Sequence, residues 1–116
     1  MRSSLGFRTV CALMAFFVLP GLGNALTITA PTTGQKFNST ANISVTGTDT
    51  PNTQGIAECY DANNTVLQST MFMSGANGSW SCTLDYPGTG WPSNSDDTIK
   101  AQDGLGGNAG VSIHIN

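Results

Sequence analysis

Two cysteines, Cys59 and Cys82, are the residues of this chain best suited by type to covalent chemistry. A third, Cys11, lies in an apolar N-terminal run. An even pair of thiols in a small exported domain reads as one disulfide, Cys59–Cys82. Two separate buried thiols are the plain alternative. Zinc is a poor fit, because there is no C-x-x-C and the single histidine, His114, is distant. Oxygen ligands make a weak case for calcium at Asp61, Asn63, Asp96 and Asp97, which meet if the two turns carrying them fall at one end of the fold. The same residues are also ordinary turn formers, and no other cofactor is expected. Trp91 stands in a turn, Gly88-Thr89-Gly90-Trp91-Pro92, where an indole either contacts a sugar or protein ligand or folds back as a lid on the core. The lid is the favoured reading.

Catalytic machinery is missing from the pattern. There is no G-x-S-x-G, no H-E-x-x-H, and no phosphate-cradling loop ahead of a helix. The glycine-rich stretch Gly104–Gly110 joins two strands, and His114 between Ile113 and Ile115 takes an outward position. Asp96 and Asp97 are neighbours on extended chain, so they point apart and cannot act as a proton-sharing dyad with each other. No catalytic residue is assigned, and the chain reads as a non-enzyme. A formal charge of −3 with only 9% charged residues also argues against a nucleic-acid surface.

These side chains must be held by something, and the 116 residues leave room for one domain. Residues 1–25 read as a secretory signal peptide. Arg2 and Arg8 precede the apolar run Val10–Leu19, Pro20 and Gly21 break it, and Gly23-Asn24-Ala25 offers small residues for cleavage. The run is about half the roughly 20 residues a spanning helix needs, so no stable membrane insertion is expected once it is removed. The domain is then 26–116, two lysines against seven acids, exported to the periplasm, the medium or the cell surface.

From Leu26 onward the pattern is alternation broken by Gly, Pro, Asn, Asp and Ser clusters, the signature of an all-β sandwich. Seven strands are expected: 26–30, 41–47, 56–61, 65–73, 79–85, 97–103 and 111–116. Inward positions are Leu26, Ile28 and Ala30; Ile43 and Val45; Ala57 and Cys59; Leu67, Met71 and Met73; Trp80, Cys82 and Leu84; Ile99 and Ala101; and Val111, Ile113 and Ile115. Ala57 and Cys59 are chosen over Ile56, Glu58 and Tyr60 because the latter phase buries an unpaired carboxylate. Trp80 is therefore a core residue. In a seven-strand Greek key the first, second, fourth and fifth strands form one sheet and the others the second. Cys59 and Cys82 then face one another across the core, and their bond would be worth roughly 3 kcal/mol.

Three runs carry a family likeness: Val45–Thr48 (VTGT), Ser74–Pro87 (SGANGSWSCTLDYP) and Asp96–Gly110 (DDTIKAQDGLGGNAG). They resemble bacterial Ig-like domains, which show V-x-G-T near the second strand, D-x-x-G-x-W-x-x-x-L entering the fifth, and Y-T-I-x-A-x-A-x-D-x-x-G-N through the sixth. Gly78, Trp80 and Leu84 match the middle pattern, with Gly75 or Asn77 where the family has Asp. Thr98, Ile99, Ala101, Asp103, Gly107 and Asn108 match the last, with an extra Leu-Gly. The likeness covers about 70 of residues 26–116. Unlike antibody domains, the chain has no cysteine on its second or sixth strand. The resemblance implies a seven-strand Ig-like Greek-key sandwich acting as a binding or surface-structural module of adhesion type, its partner a protein or glycan at the cell surface. Two alternatives stay open. One is a small secreted inhibitor or effector working through a loop such as that of Trp91. The other is a cell-wall glycoprotein, since Thr27–Phe37 and Ala41–Thr48 also resemble eukaryotic cell-wall domains and four N-x-S/T triplets begin at Asn38, Asn42, Asn63 and Asn77.

Overall fold

The computed structural model describes residues 25–116. The expected signal peptide lies, but for Ala25, outside the described residues, as does Cys11. No described segment is helical. Eight strands run in order: β1 (Thr27–Ala30), β2 (Lys36–Phe37), β3 (Ile43–Thr48), β4 (Gln54–Tyr60), β5 (Val66–Met73), β6 (Ser79–Leu84), β7 (Ser95–Asp103) and β8 (Asn108–Ile115). They make a three-stranded sheet, β1-β3-β6, and a five-stranded sheet, β2-β8-β7-β4-β5. All pairings are antiparallel except β2 with β8.

The inner faces of both sheets share one core. Ile43, Val45, Trp80 and Leu84 come from the first sheet, and Ala57, Cys59, Ile99, Ala101, Ile113 and Ile115 from the second. Each of these lies on the inward phase expected from alternation, because successive strand residues face opposite sides. One aromatic pair joins the sheets: Phe72 and Trp80 stack with centroids 4.0 Å apart at 17°. Two glycines make room for it. Gly47 is the register partner of Trp80, and Gly55 that of Phe72. A Cβ at Gly47 would sit 1.9 Å from the Thr27 carbonyl oxygen and 2.7 Å from the Trp80 ring; at Gly55 it would sit 2.2 Å from Phe72. Any larger residue there forces the stack apart.

Three expectations need correction. An eighth strand exists, because Lys36 and Phe37 pair with His114 and Ile115; two residues are too few to show alternation. The fourth expected strand, β5, belongs to the second sheet and not the first. The Asp61–Thr65 turn is tight: Asp61 N–H donates to Thr65 O (3.0 Å), and Asn64 takes φ +62°. Such a turn sends β5 straight back along β4. Finally, β5 has the opposite phase over its second half. The pairing steps from Cys59–Gln68 to Tyr60–Val66, skipping Leu67. This bulge inverts the facing of the strand beyond it, so Phe72 is buried while Met71 and Met73 are 61% and 58% exposed.

Candidate functional site

Strand β7 shows how the sequence places its acids. Its inward positions are Asp97, Ile99, Ala101 and Asp103, so one strand projects a carboxyl toward the core at each end. A neighbouring strand supplies a partner in each case. Asp49 continues the inward series Ile43, Val45, Gly47 of β3. Asp61 continues the inward series Ala57, Cys59 of β4, one step beyond the Tyr60–Thr98 register pair, which sets it beside Asp97. Asp49 and Asp97 are fully buried, and the Oδ2 of each has no hydrogen-bond partner.

At the Asp49 end, three loops interlock. Asp49 N–H donates to Gly78 O (2.8 Å), and its Oδ1 accepts from Thr50 N–H (2.8 Å). Ser74, also buried, donates to Thr50 O (2.6 Å) and accepts from Thr53 N–H (2.8 Å). Asp103 Oδ1 accepts from both Leu105 and Gly107 N–H at 2.8 Å, holding the Gly104–Gly107 turn. Burial raises the pKa of Asp49; the Thr50 N–H opposes that rise and Asp103 adds to it. Burial works the same way on Asp103, but the N–H groups of Gly107 and Leu105, with Asp49, outweigh it and the net shift is downward.

The Asp97 end is assembled differently. Asp97 Oδ1 accepts from Ser95 Oγ (3.0 Å). Its pKa is raised, chiefly by burial, with Asp61 and Asp96 adding to the shift and Ser95 and His114 reducing it. Asp61 Oδ1 accepts from Asn63 and Thr65 N–H (2.8 and 2.9 Å), the hydrogen bonds of a turn former. Asp96 points to the outer face and meets His114 Nδ1 at 2.7 Å. The calcium candidates therefore do not converge: Asn63 is exposed in its turn and Asp96 is engaged elsewhere. Among the described residues no group of three or more His, Cys, Asp or Glu side chains is arranged to hold a metal ion.

Cys59 and Cys82 are free thiols, which corrects the expected disulfide. They occupy opposite sheets as expected, but Cys59 is fully buried and Cys82 half-buried at the margin of the core. The Cys59 thiol is pushed up to about 12 by burial and by the carboxylates Asp97 and Asp61, and burial raises Cys82 too. Neither supplies the thiolate that disulfide exchange requires.

Trp80 is in the core as expected, its Nε1–H donating to Thr48 O (3.2 Å). Trp91 is equally enclosed, at 2% exposure. Its Nε1–H donates to Ala41 O (2.7 Å) and its backbone N–H to Ser39 O (2.7 Å). It is the lid of the Asp97 end, and the alternative of a free ligand contact falls.

Two outer faces remain for contact with other molecules. The three-stranded sheet presents hydroxyls, with Thr27 paired to Thr48 (2.7 Å) and Thr29 to Thr46 (3.1 Å). On the five-stranded sheet Tyr60 donates to Glu58 (2.7 Å) under the Lys100 ammonium, 4.7 Å from its ring. Beyond them lies β5, paired on one side only, its uncharged sequence exposing Val66, Met71 and Met73 beside Ile56. No protein-family model matches the chain, and no curated protein matches its sequence.

Proposed function

We propose that this chain is a non-enzymatic Ig-like module, exported and displayed at a cell surface, that binds a protein partner. The strand order supports the Ig-like part: the chain crosses between sheets after β1, β2, β3, β5 and β6, leaving β1-β3-β6 against β8-β7-β4-β5, as a Greek-key sandwich requires. The binding part is carried by one observation. Among the described residues edge strand β5 carries no charge and no proline and pairs on one side, and beyond its bulge at Leu67 it exposes Met71 and Met73 outward. Methionine suits an adaptable protein contact.

Cells displaying the wild-type chain should attach to the partner surface, and Met71→Lys/Met73→Lys should reduce attachment at least tenfold with an unchanged unfolding midpoint. Full attachment by that folded double variant overturns the reading. The glycoprotein alternative is favoured by one fact: in all four N-x-S/T triplets both the asparagine and the hydroxyl residue are exposed. Intact mass of the natural protein decides it, since an unmodified mass excludes glycan at Asn38, Asn42, Asn63 and Asn77.

A further inference from the structure

We propose, resting on the exported reading in which residues 1–25 are removed, that Asp49 is the receptor for the chain's own processed N-terminus. Cleavage after Ala25 frees an α-ammonium on Leu26, which pairs with the Asp49 carboxylate and pins β1 to β3. The step is a hydrolysis by a leader peptidase. Water supplies OH to the Ala25 carbonyl carbon and H to the Leu26 nitrogen as the amide bond between them breaks. The proton released by the new Ala25 carboxyl passes through solvent to the Leu26 amine, whose ordinary pKa is about 8. Ala25 then departs with the leader as a carboxylate.

The pairing of β1 with β3 brings the two residues together. Thr27 stands opposite Thr48, their hydroxyls 2.7 Å apart, and Thr48 N–H donates to Thr27 Oγ1 at 3.1 Å. One step further along the same register sets Leu26 opposite Asp49. Facing residues of an antiparallel pair share a side of the sheet, with Cα atoms about 4.5–5.5 Å apart. Thr27 and Thr48 take the outer side, so Leu26 and Asp49 take the inner one, and they are 6% and 0% exposed. Ala25, immediately before them, is exposed, so the chain surfaces at the bond to be cut.

Asp49 lacks what that ammonium supplies. Its Oδ1 accepts from Thr50 N–H, and its buried Oδ2 accepts from nothing. A buried carboxylate without a counter-charge is costly, and an amide at Leu26 offers one neutral N–H where an ammonium offers three donors and a full charge. The described cationic side chains stand elsewhere: His114 on Asp96 with Lys36 as its register partner, and Lys100 over Tyr60 on the outer face. Strand β1 also needs the anchor. It has four residues, is hydrogen-bonded on one side only, and its register slips between Ile28 and Ala30. Leader removal therefore completes the sandwich as well as releasing it.

The test uses protein exported from the full chain and recovered outside the cell. Its intact mass should show a chain beginning at Leu26; a mass that retains residues 1–25 overturns the exported reading and the proposal with it. An amine-acylating reagent at neutral pH then reads the pair, since an α-amine reacts there ahead of Lys36 and Lys100. In the folded wild type the Leu26 amine should react at least about tenfold more slowly than in the urea-unfolded chain, and Asp49→Asn should lose most of that protection. Acetylation in urea followed by refolding should lower the folding equilibrium constant of the wild type at least about tenfold and that of Asp49→Asn less than about twofold, any effect on the lysines being common to both. An equal loss in the two proteins overturns the pair and leaves the exported reading standing. Reaction of the folded wild-type amine at the unfolded rate does the same, whether or not the variant folds.

Discussion

The two ends of the sandwich are built from the same parts and solve the same problem differently. Each has a buried tryptophan whose indole N–H reaches a backbone carbonyl, Thr48 for Trp80 and Ala41 for Trp91. Each has a fully buried aspartate with an unsatisfied Oδ2 and a second carboxyl beside it. At the Asp97 end a hydroxyl from Ser95 and the nearby His114 relieve the charge, while Asp61 is occupied by its own turn. At the Asp49 end the Thr50 N–H meets Asp49 Oδ1, and Asp103 accepts from the Leu105 and Gly107 N–H groups of its own turn. What differs is the supply of donors.

Truncating either tryptophan tests whether the ends are equivalent as packing. Trp80→Ala and Trp91→Ala should each cost about 3–5 kcal/mol by chemical denaturation, because both rings are almost wholly buried. A much smaller loss for Trp91 would show that its end is a loose cap. Gly47→Ala should cost about 2–3 kcal/mol, since its Cβ would collide with the Thr27 carbonyl and the Trp80 ring. That loss belongs to the Asp49 end, where the Phe72–Trp80 stack lies.

Removing a buried carboxyl sharpens the comparison further. Asp97→Asn should stabilise by about 1 kcal/mol at neutral pH, because an amide needs no proton to remain neutral. Folded Asp97 has a raised pKa, so its proton favours folding at low pH and the benefit is lost as pH rises. The advantage of the variant should therefore grow from pH 4 upward in thermal melts. Met71→Lys touches neither end and should change stability by less than about 0.5 kcal/mol, serving as the neutral reference.

Much of this is legible in the alternation. Inward phases for β3, β6, β7 and β8 come from apolar spacing and that of β4 from the cost of burying Glu58, and they place Ile43, Trp80, Ile99, Ile113 and Cys59 without help from tertiary contacts. The same parity runs on to Asp49, Asp61, Asp97 and Asp103, so the two buried acids, Asp49 and Asp97, are visible as inward positions next to the apolar ones. Their burial is masked because aspartate at a strand end is usually a turn former. The phase of β5 is not legible, since Leu67, Met71 and Met73 outnumber Phe72 and only the bulge at Leu67 decides between them. Nor is the burial of Trp91, which depends on carbonyls some fifty residues away in the chain. The pairing of β2 escapes for want of length, and the disulfide expectation, drawn from cysteine parity and inward positions on opposite sheets, does not read that Cys59 sits deep in the core and Cys82 at its margin.

Carbon-13 NMR titration of the aspartate carboxyls tests the central claim most directly. With Leu26 in amide linkage, the account predicts that Asp49 titrates above the ordinary value of 3.8, because it is buried, and Asp103 below it, because the Gly107 and Leu105 N–H groups outweigh its burial. Asp97 should likewise titrate above the ordinary value, because it is buried. Independent titration of Asp49 and Asp103, each in a single step near 3.8, would contradict it.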